Sequence, residues 1–329
     1  MSRRKRASVL CCAIAVACNL TSLADATAQT YPDRPIKFVV PYPPGGATDI
    51  VARTIAGKLA ERWRQSVVIE NHAGGGGVVG NDIVAKAAPD GYTVLFAITQ
   101  IVQAPAMGIK VPYDVFRDFA PVSQCVIVPN LFVVPASAPF RSLQAFVTAA
   151  ERRSSGRQLS YGSYGAGTSS HIYGELLKRT AGINLVHVPY RGAAPLLNDV
   201  LAAHVDSAIL DIMTSLTQLQ GGAITALAVT GPARSKLLPQ VPSFAELGYA
   251  GFEPLGWVAA FAPAGTPDAI VDRLSDEIGR IVRLPDVNAR LYQLGTEPVG
   301  STPAELAAIL KADYRQWAKL IGEANIKLE

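Results

Sequence analysis

The stretch Ile36-Lys37-Phe38-Val39-Val40-Pro41-Tyr42-Pro43-Pro44-Gly45-Gly46-Ala47-Thr48-Asp49 decides the fold. It opens as an apolar, β-branched run, which predicts a strand buried on both faces over Ile36–Val40. Prolines and glycines then break the run. Val51, Ile55, Leu59 and Trp63 follow at intervals of four, which predicts a helix with one apolar stripe. A strand passing through a glycine turn into a helix is the building unit of α/β proteins. Glycines let backbone approach a ligand closely. The first amides of a helix lack partners and carry partial positive charge, so this end suits an anion without any Arg or Lys. Thr48 is placed to cap the helix or to offer its hydroxyl, and Asp49 to complement the helix dipole.

The same unit recurs outward along the chain. Candidate strands are Val67–Ile69, Thr93–Ile98, Leu131–Val134, an extended Leu159–Gly162, Leu185–Val188, Ala208–Leu210, Ala226–Val229 and Val258–Ala262. Ile270, Leu274, Ile278 and Ile281 predict one further helix, and Leu306, Leu310, Tyr314, Trp317 and Leu320 another. Thr266-Pro267 and Thr302-Pro303 each read as an N-cap followed by a first-turn proline, and Glu305 completes a capping box with Thr302. Strand–helix alternation argues for mostly parallel sheets flanked by helices. Prolines around Leu131–Val134 and around Val258–Ala262 mark two chain crossings, so one lobe is expected to be interrupted. The expected division is residues 29–130 with 258–329 as lobe 1, and 131–257 as lobe 2.

A second turn repeats the logic of the first. Ser163-Tyr164-Gly165-Ala166-Gly167-Thr168-Ser169-Ser170-His171 leads from an extended segment into a helix through Leu177, with Thr168 or Ser169 as N-cap. Two such turns in separate halves, each at a strand C-terminus, point to one ligand site, because open α/β sheets bind there. Gly74–Gly77 and Gly80 satisfy G-x-G-x-x-G, but four consecutive glycines almost generate that match, and no dinucleotide is inferred from it.

The first residues are not expected in the fold. Arg3, Arg4, Lys5 and Arg6 precede an apolar run from Ala7 to Leu20 and small residues at Ala24, Ala26 and Ala28. That pattern predicts a signal peptide over residues 1–28, cleaved near Ala26–Ala28, and a periplasmic protein. Its removal takes four basic residues and one acidic residue, lowering the net charge from +4 to +1. The basic balance therefore belongs to the leader and gives no ground for a nucleic-acid partner. Cys11, Cys12 and Cys18 leave with the leader. Cys125 remains alone beside Val126–Val128, as a buried thiol without an intrachain disulfide.

Catalytic groups are sparse. No G-x-S-x-G elbow is present, and His72, His171, His187 and His204 lie at no metal-ligand spacing. No cofactor, metal or enzymatic activity is expected. A secreted serine hydrolase using Ser163 or His171, with Asp206 or Asp211, is the alternative, together with a surface interaction protein that transports nothing.

The motifs as a set resemble the substrate-binding proteins of tripartite tricarboxylate transporters, the Bug family of extracytoplasmic receptors. They run from Tyr31-Pro32 and Pro43-Pro44-Gly45-Gly46-Ala47-Thr48-Asp49 through Glu70-Asn71 and Ala88-Pro89-Asp90-Gly91-Tyr92-Thr93. They continue with Val111-Pro112-Tyr113-Asp114, the second turn, Val188-Pro189-Tyr190-Arg191-Gly192 and Leu227-Ala228-Val229-Thr230. Phe261-Ala262-Pro263-Ala264-Gly265-Thr266-Pro267 and Glu297-Pro298-Val299-Gly300 complete the set. The resemblance implies a two-lobed periplasmic binding protein fold of the type II kind, hinged over a cleft. It implies contacts from Tyr42, Gly46, Ala47, Thr48 and Asp49 on one lobe. Ser163, Gly165, Gly167, Thr168 and His171 face them, with Ile98, Thr99, Arg191 and Asp211 at the rim. The implied ligand is a small organic acid (a di- or tricarboxylate, an aromatic acid or an amino acid) bound by a monomer for uptake or sensing. A membrane permease of the tripartite type or a sensor kinase is the implied partner. The segment Ile98-Thr99-Gln100-Ile101-Val102-Gln103 departs from the family pattern, which changes a wall of the implied pocket.

Overall fold

The computed structural model describes residues 31–152, 157–253 and 255–323. The expected leader, its cleavage site and its three cysteines lie outside the described residues, as does Pro254. Strands β1 (Ile36–Val40), β2 (Val67–Asn71) and β3 (Thr93–Ile98) are joined by helix α1 (Ala47–Trp63) and by α2 (Val78–Ala85). After the short α3 (Gln100–Ala106), β4 (Phe119–Val128) runs through Pro129 into β5 (Asn130–Pro135). The middle of the chain alternates: α4 (Leu143–Arg152), β6 (Leu159–Ser163), α5 (Ser169–Ala181), β7 (Leu185–Pro189), α6 (Ala193–Leu201), β8 (Ser207–Asp211), α7 (Ile212–Gln220) and β9 (Ile224–Val229). It closes with β10 (Gly256–Pro263), α8 (Asp268–Val282), α9 (Pro285–Gln293), β11 (Glu297–Pro298) and α10 (Pro303–Glu323).

These strands form two sheets, ordered β11-β4-β10-β3-β1-β2 and β7-β6-β8-β5-β9. Helices flank both, giving the two-lobed α/β architecture. The sheets are mixed rather than mostly parallel. β2, β1 and β3 are parallel, as are β7, β6 and β8. Every antiparallel pairing involves β4, β5 or β10. β4 and β5 carry the chain from one sheet into the other, and β10 begins its run back in the first, so both sheets take strands against the local direction at the crossings.

Packing explains the continuous apolar runs. Ile36, Phe38 and Val40 of β1 bury against Val51, Ile55 and Leu59 of α1 and Leu274, Ile278 and Ile281 of α8. The opposite face presents Val39, Leu95 and Ala97 to a cluster that includes Leu306, Leu310 and Trp317 of α10. That cluster continues into the second sheet through Phe132, Phe146, Tyr161 and Tyr173, so α10 binds both halves together. Each fully buried Leu, Ile or Phe here stabilises by about 1.5–3 kcal/mol.

One local expectation shifts and another holds. Pro267 itself is the N-cap of α8, and the Thr266 hydroxyl donates instead to the Pro263 carbonyl oxygen at 2.7 Å, closing the preceding turn. The box at α10 forms as expected: the Thr302 amide donates to Glu305 Oε2 at 2.8 Å and the Glu305 amide to Thr302 Oγ1 at 3.3 Å.

Candidate functional site

A cavity of about 510 Å³, its mouth included, lies between the sheets where their strands end. From the first turn Tyr42, Pro43, Gly46, Ala47 and Thr48 line it. Ile98 and Thr99 enter from the end of β3. The crossing strands supply Val128, Asn130, Gly256, Trp257 and Val258. The second lobe contributes Tyr164, Ser169, Ala193 and Asp211.

The first turn is held from behind. Asp49 Oδ2 accepts the Gly45 amide at 3.0 Å and Arg53 Nε at 2.9 Å, and Asn71 Nδ2 donates to Asp49 Oδ1 at 3.0 Å and to the Tyr42 carbonyl at 2.9 Å. Burial pushes the Asp49 carboxyl up, but the bonds from Arg53, Gly45 and Asn71 outweigh it and hold the group below its ordinary value. Asp49 thus shapes the turn and does not line the cavity. The Tyr42 hydroxyl donates to the Gly76 carbonyl at 2.7 Å, and its burial raises the phenol well above its ordinary pKa.

Five helix N-termini approach the cleft, and they differ: α3 and α6, entering at Thr99 and Ala193, carry no side-chain cap. α5 is capped by Thr168, whose Oγ1 accepts the His171 amide at 3.5 Å. α7 is capped by Asp211, whose Oδ1 accepts the Thr214 amide at 2.7 Å. At α1 the N-cap is Gly46 and no side chain caps the helix, although Ala47 and Thr48 line the cavity. Unpartnered amides at that end carry the positive pole of the α1 dipole. Thr48 sits inside the helix rather than at its cap.

The second turn serves two purposes. Tyr164 and Ser169 face the cavity; the Tyr164 hydroxyl donates to Asn130 Oδ1 at 3.0 Å, and Gln103 Nε2 reaches across the cleft to Ser169 Oγ at 2.8 Å. Gly165 and Gly167 abut the first lobe: added Cβ atoms there would meet Gly76 and Ala104 with Ile109. Thr168 Oγ1 donates to the Gly165 carbonyl at 2.6 Å, tightening the turn. Gly165, Gly167 and Thr168 therefore sit beside the cavity without lining it.

Ser163 and His171 also lie off the cavity. Ser163 Oγ is 2.7 Å from His187 Nε2, and His187 stacks between Tyr161 and His171 at centroid distances of 4.8 and 4.3 Å. His171 Nδ1 accepts the Gly167 amide at 3.2 Å. Burial lowers the pKa of both imidazoles. Asp206 is bonded to Ser160 and Arg157, Asp211 to Thr214, and Ser163 to His187 rather than His171, so the triad considered from sequence does not assemble. Arg191 is exposed, and its neighbours Gly192 and Ala193 approach the site instead.

Sequence reasoning missed the floor. Thr99 Oγ1 accepts the Trp257 amide at 2.9 Å, and Trp257 Nε1 donates to Asp313 of α10 at 2.6 Å. Asn130 pairs with Asp211 across β5 and β8. These positions meet only because β4, β5 and β10 cross here, a tertiary fact with no local signature. No cluster of metal-ligating side chains occurs among the described residues.

A family model described as the tripartite tricarboxylate transporter family receptor matches residues 51–326. A UPF0065 protein from the tcbD-tcbE intergenic region of Pseudomonas sp. (strain P51) is 42% identical over 314 residues, covering 95% of this chain and 93% of that protein. The structure of the periplasmic binding protein BugD shares 33% identity with a TM-score of 0.86, covering 91% of this chain and 100% of that one. A protein of R. palustris solved with adipate shares 34% identity with a TM-score of 0.86, covering 90% and 99%.

Proposed function

We propose a ligand class from one premise: the chain belongs to the tripartite tricarboxylate transporter receptor family, whose members are periplasmic solute-binding proteins. The protein captures a small organic carboxylate in the cleft, with the carboxylate on the uncapped N-terminus of α1. One observation carries this reading. Of the uncapped helix ends at the cavity, those of α1, α3 and α6, that of α1 alone places three consecutive residues, Gly46, Ala47 and Thr48, in the lining. No Lys, Arg or His lines the cavity, so helix-end amides, those of α1 foremost, are the anion-binding groups it holds. The relative solved with adipate supports a carboxylate as the class. Thr48, Thr99, Asn130, Tyr164 and Ser169 are assigned as polar contacts around it. Lobe boundaries fall at residues 128–130 and between β9 and β10, and residues 1–28 serve as the export leader. The loaded protein serves uptake through a membrane permease or signalling through a sensor kinase, without chemical conversion of the ligand.

A thermal-shift panel of organic acids tests the assignment, because a bound ligand raises the melting temperature. Gly46→Leu supplies the control. The backbone there has φ −82°, and an added Cβ meets nothing within 4 Å, so the new side chain is accommodated without strain and fills ligand space. Melting temperature without ligand should hold while the ligand-induced shift vanishes. A panel with no shift from any acid would sink the reading.

A further inference from the structure

We propose that Asp211 determines specificity in this cavity, selecting a ligand that carries one carboxylate for α1 and one ammonium group for the Asp211 carboxylate. This rests on the carboxylate reading above and narrows it to amino-carboxylates over dicarboxylates.

Asp211 ends β8 in the second lobe and lines the cavity that α1 enters from the first. It is 7% exposed. Its oxygens accept the Thr214 amide at 2.7 Å and the Thr214 hydroxyl at 2.9 Å. A carboxylate offers about four acceptor positions, so about two remain. Among the described residues no cation pairs with it, and no cationic side chain lines the cavity. Its cavity neighbours Asn130, Tyr164 and Trp257 are neutral and already bonded to protein: Asn130 accepts from Tyr164, and Trp257 donates to Asp313. Burial pushes the Asp211 carboxyl above its ordinary pKa, the mark of a charge without a cationic partner.

The cap itself does not require an acid. Asn, Ser or Thr cap helices as well as Asp does. An acid at this position adds negative charge to a low-dielectric wall at an energetic cost that the fold does not need. A cationic nitrogen on the ligand would supply the missing partner. A second carboxylate would place two like charges together and be rejected. The cavity therefore sets helix-end amide donors, of α1 in the first lobe and α6 in the second, against a single carboxylate at Asp211.

Calorimetric titration of the mature full-length chain with two matched series tests this: butyrate, succinate and γ-aminobutyrate, then propionate, methylmalonate and alanine. In the series that fits the cavity, the amino member should bind about ten- to hundredfold tighter than the dicarboxylate, the range expected of a charged hydrogen bond. Asp211→Asn keeps a side-chain oxygen for the cap and should melt close to the parent. It should erase the amino preference and admit the dicarboxylate. Tightest binding of a dicarboxylate by the parent, or an unchanged preference in Asp211→Asn, overturns this proposal alone. Silence from every member, dicarboxylates included, overturns it together with the carboxylate reading.

Discussion

Gly76 and Gly165 meet backbone to backbone across the cleft: a Cβ on Gly165 would lie 2.9 Å from Gly76 Cα, and one on Gly76 would lie 2.6 Å from the Ala166 carbonyl oxygen. Real Cβ atoms do not come that close, and neither neighbour is a flexible side chain. The glycine run of the first lobe is thus a contact face for the second turn. Gly76→Ala should keep the lobes from meeting and weaken ligand binding at least about tenfold, since closure completes the site. Its backbone also has φ +66°, which strains any side chain. Gly222→Ala is the matched control: φ is +71°, but an added Cβ meets nothing within 4 Å. Equal affinity for the two variants would show that the contact does not matter to binding.

Thr168→Ala should lower stability more than affinity. The side chain is fully buried, closes the turn through Gly165 and caps α5, yet does not line the cavity. Loss of a cap with a buried hydrogen bond costs about 1–2 kcal/mol, read as a shift of the denaturant midpoint, and Thr168→Ser should recover most of it. A loss of affinity without loss of stability would make Thr168 a ligand contact instead.

His187 should make the protein acid-sensitive. Burial, then the neighbouring His171 and Lys178, lower its pKa from 6.5 to about 3. Between those values the unfolded chain takes up a proton that the folded chain refuses. Its contribution is therefore complete above about pH 6.5 and declines as pH falls towards 3. The slope is at most about 1.4 kcal/mol per pH unit, and less because the ring is partly exposed. Stability profiles of the parent and His187→Gln should converge at low pH; parallel profiles would refute the assignment.

Cys125 should resist thiol reagents in the native state and react on denaturation. It is fully buried, and burial pushes its thiol far above the ordinary value, so little thiolate forms. Rapid native labelling would mean that β4 opens readily.

The strand–turn–helix at Ile36–Trp63 was legible because its periodicities are local. So was the capped start of α5 at Thr168. The strand Phe119–Val128 was not, since Pro121 and Gln124 interrupt its apolar run and β10 accommodates it through shifts in register. At the site, Tyr42, Gly46, Ala47, Thr48, Ile98, Thr99 and Asp211 line the cavity, while Asp49 lies behind the turn. Gly165, Gly167 and His171 were read as facing the ligand, but their turn makes contact with lobe 1 and with itself. Pattern identifies a glycine turn; it does not say whether ligand or protein fills the space beside it. Asn130 and Trp257 were invisible because their role depends on where crossing strands meet.

The order of the first sheet dictates an order of assembly. β10 lies between β3 and β4, yet it is made only after the whole second sheet has been synthesised. Until residue 263 is available, β3 and β4 each present an unpaired edge, while β5 to β9 already hold every strand of their own sheet. The second sheet can therefore complete its strand pairing on a growing chain, although its core still waits for Trp317 of α10. The first sheet stays open between β3 and β4 until β10 arrives.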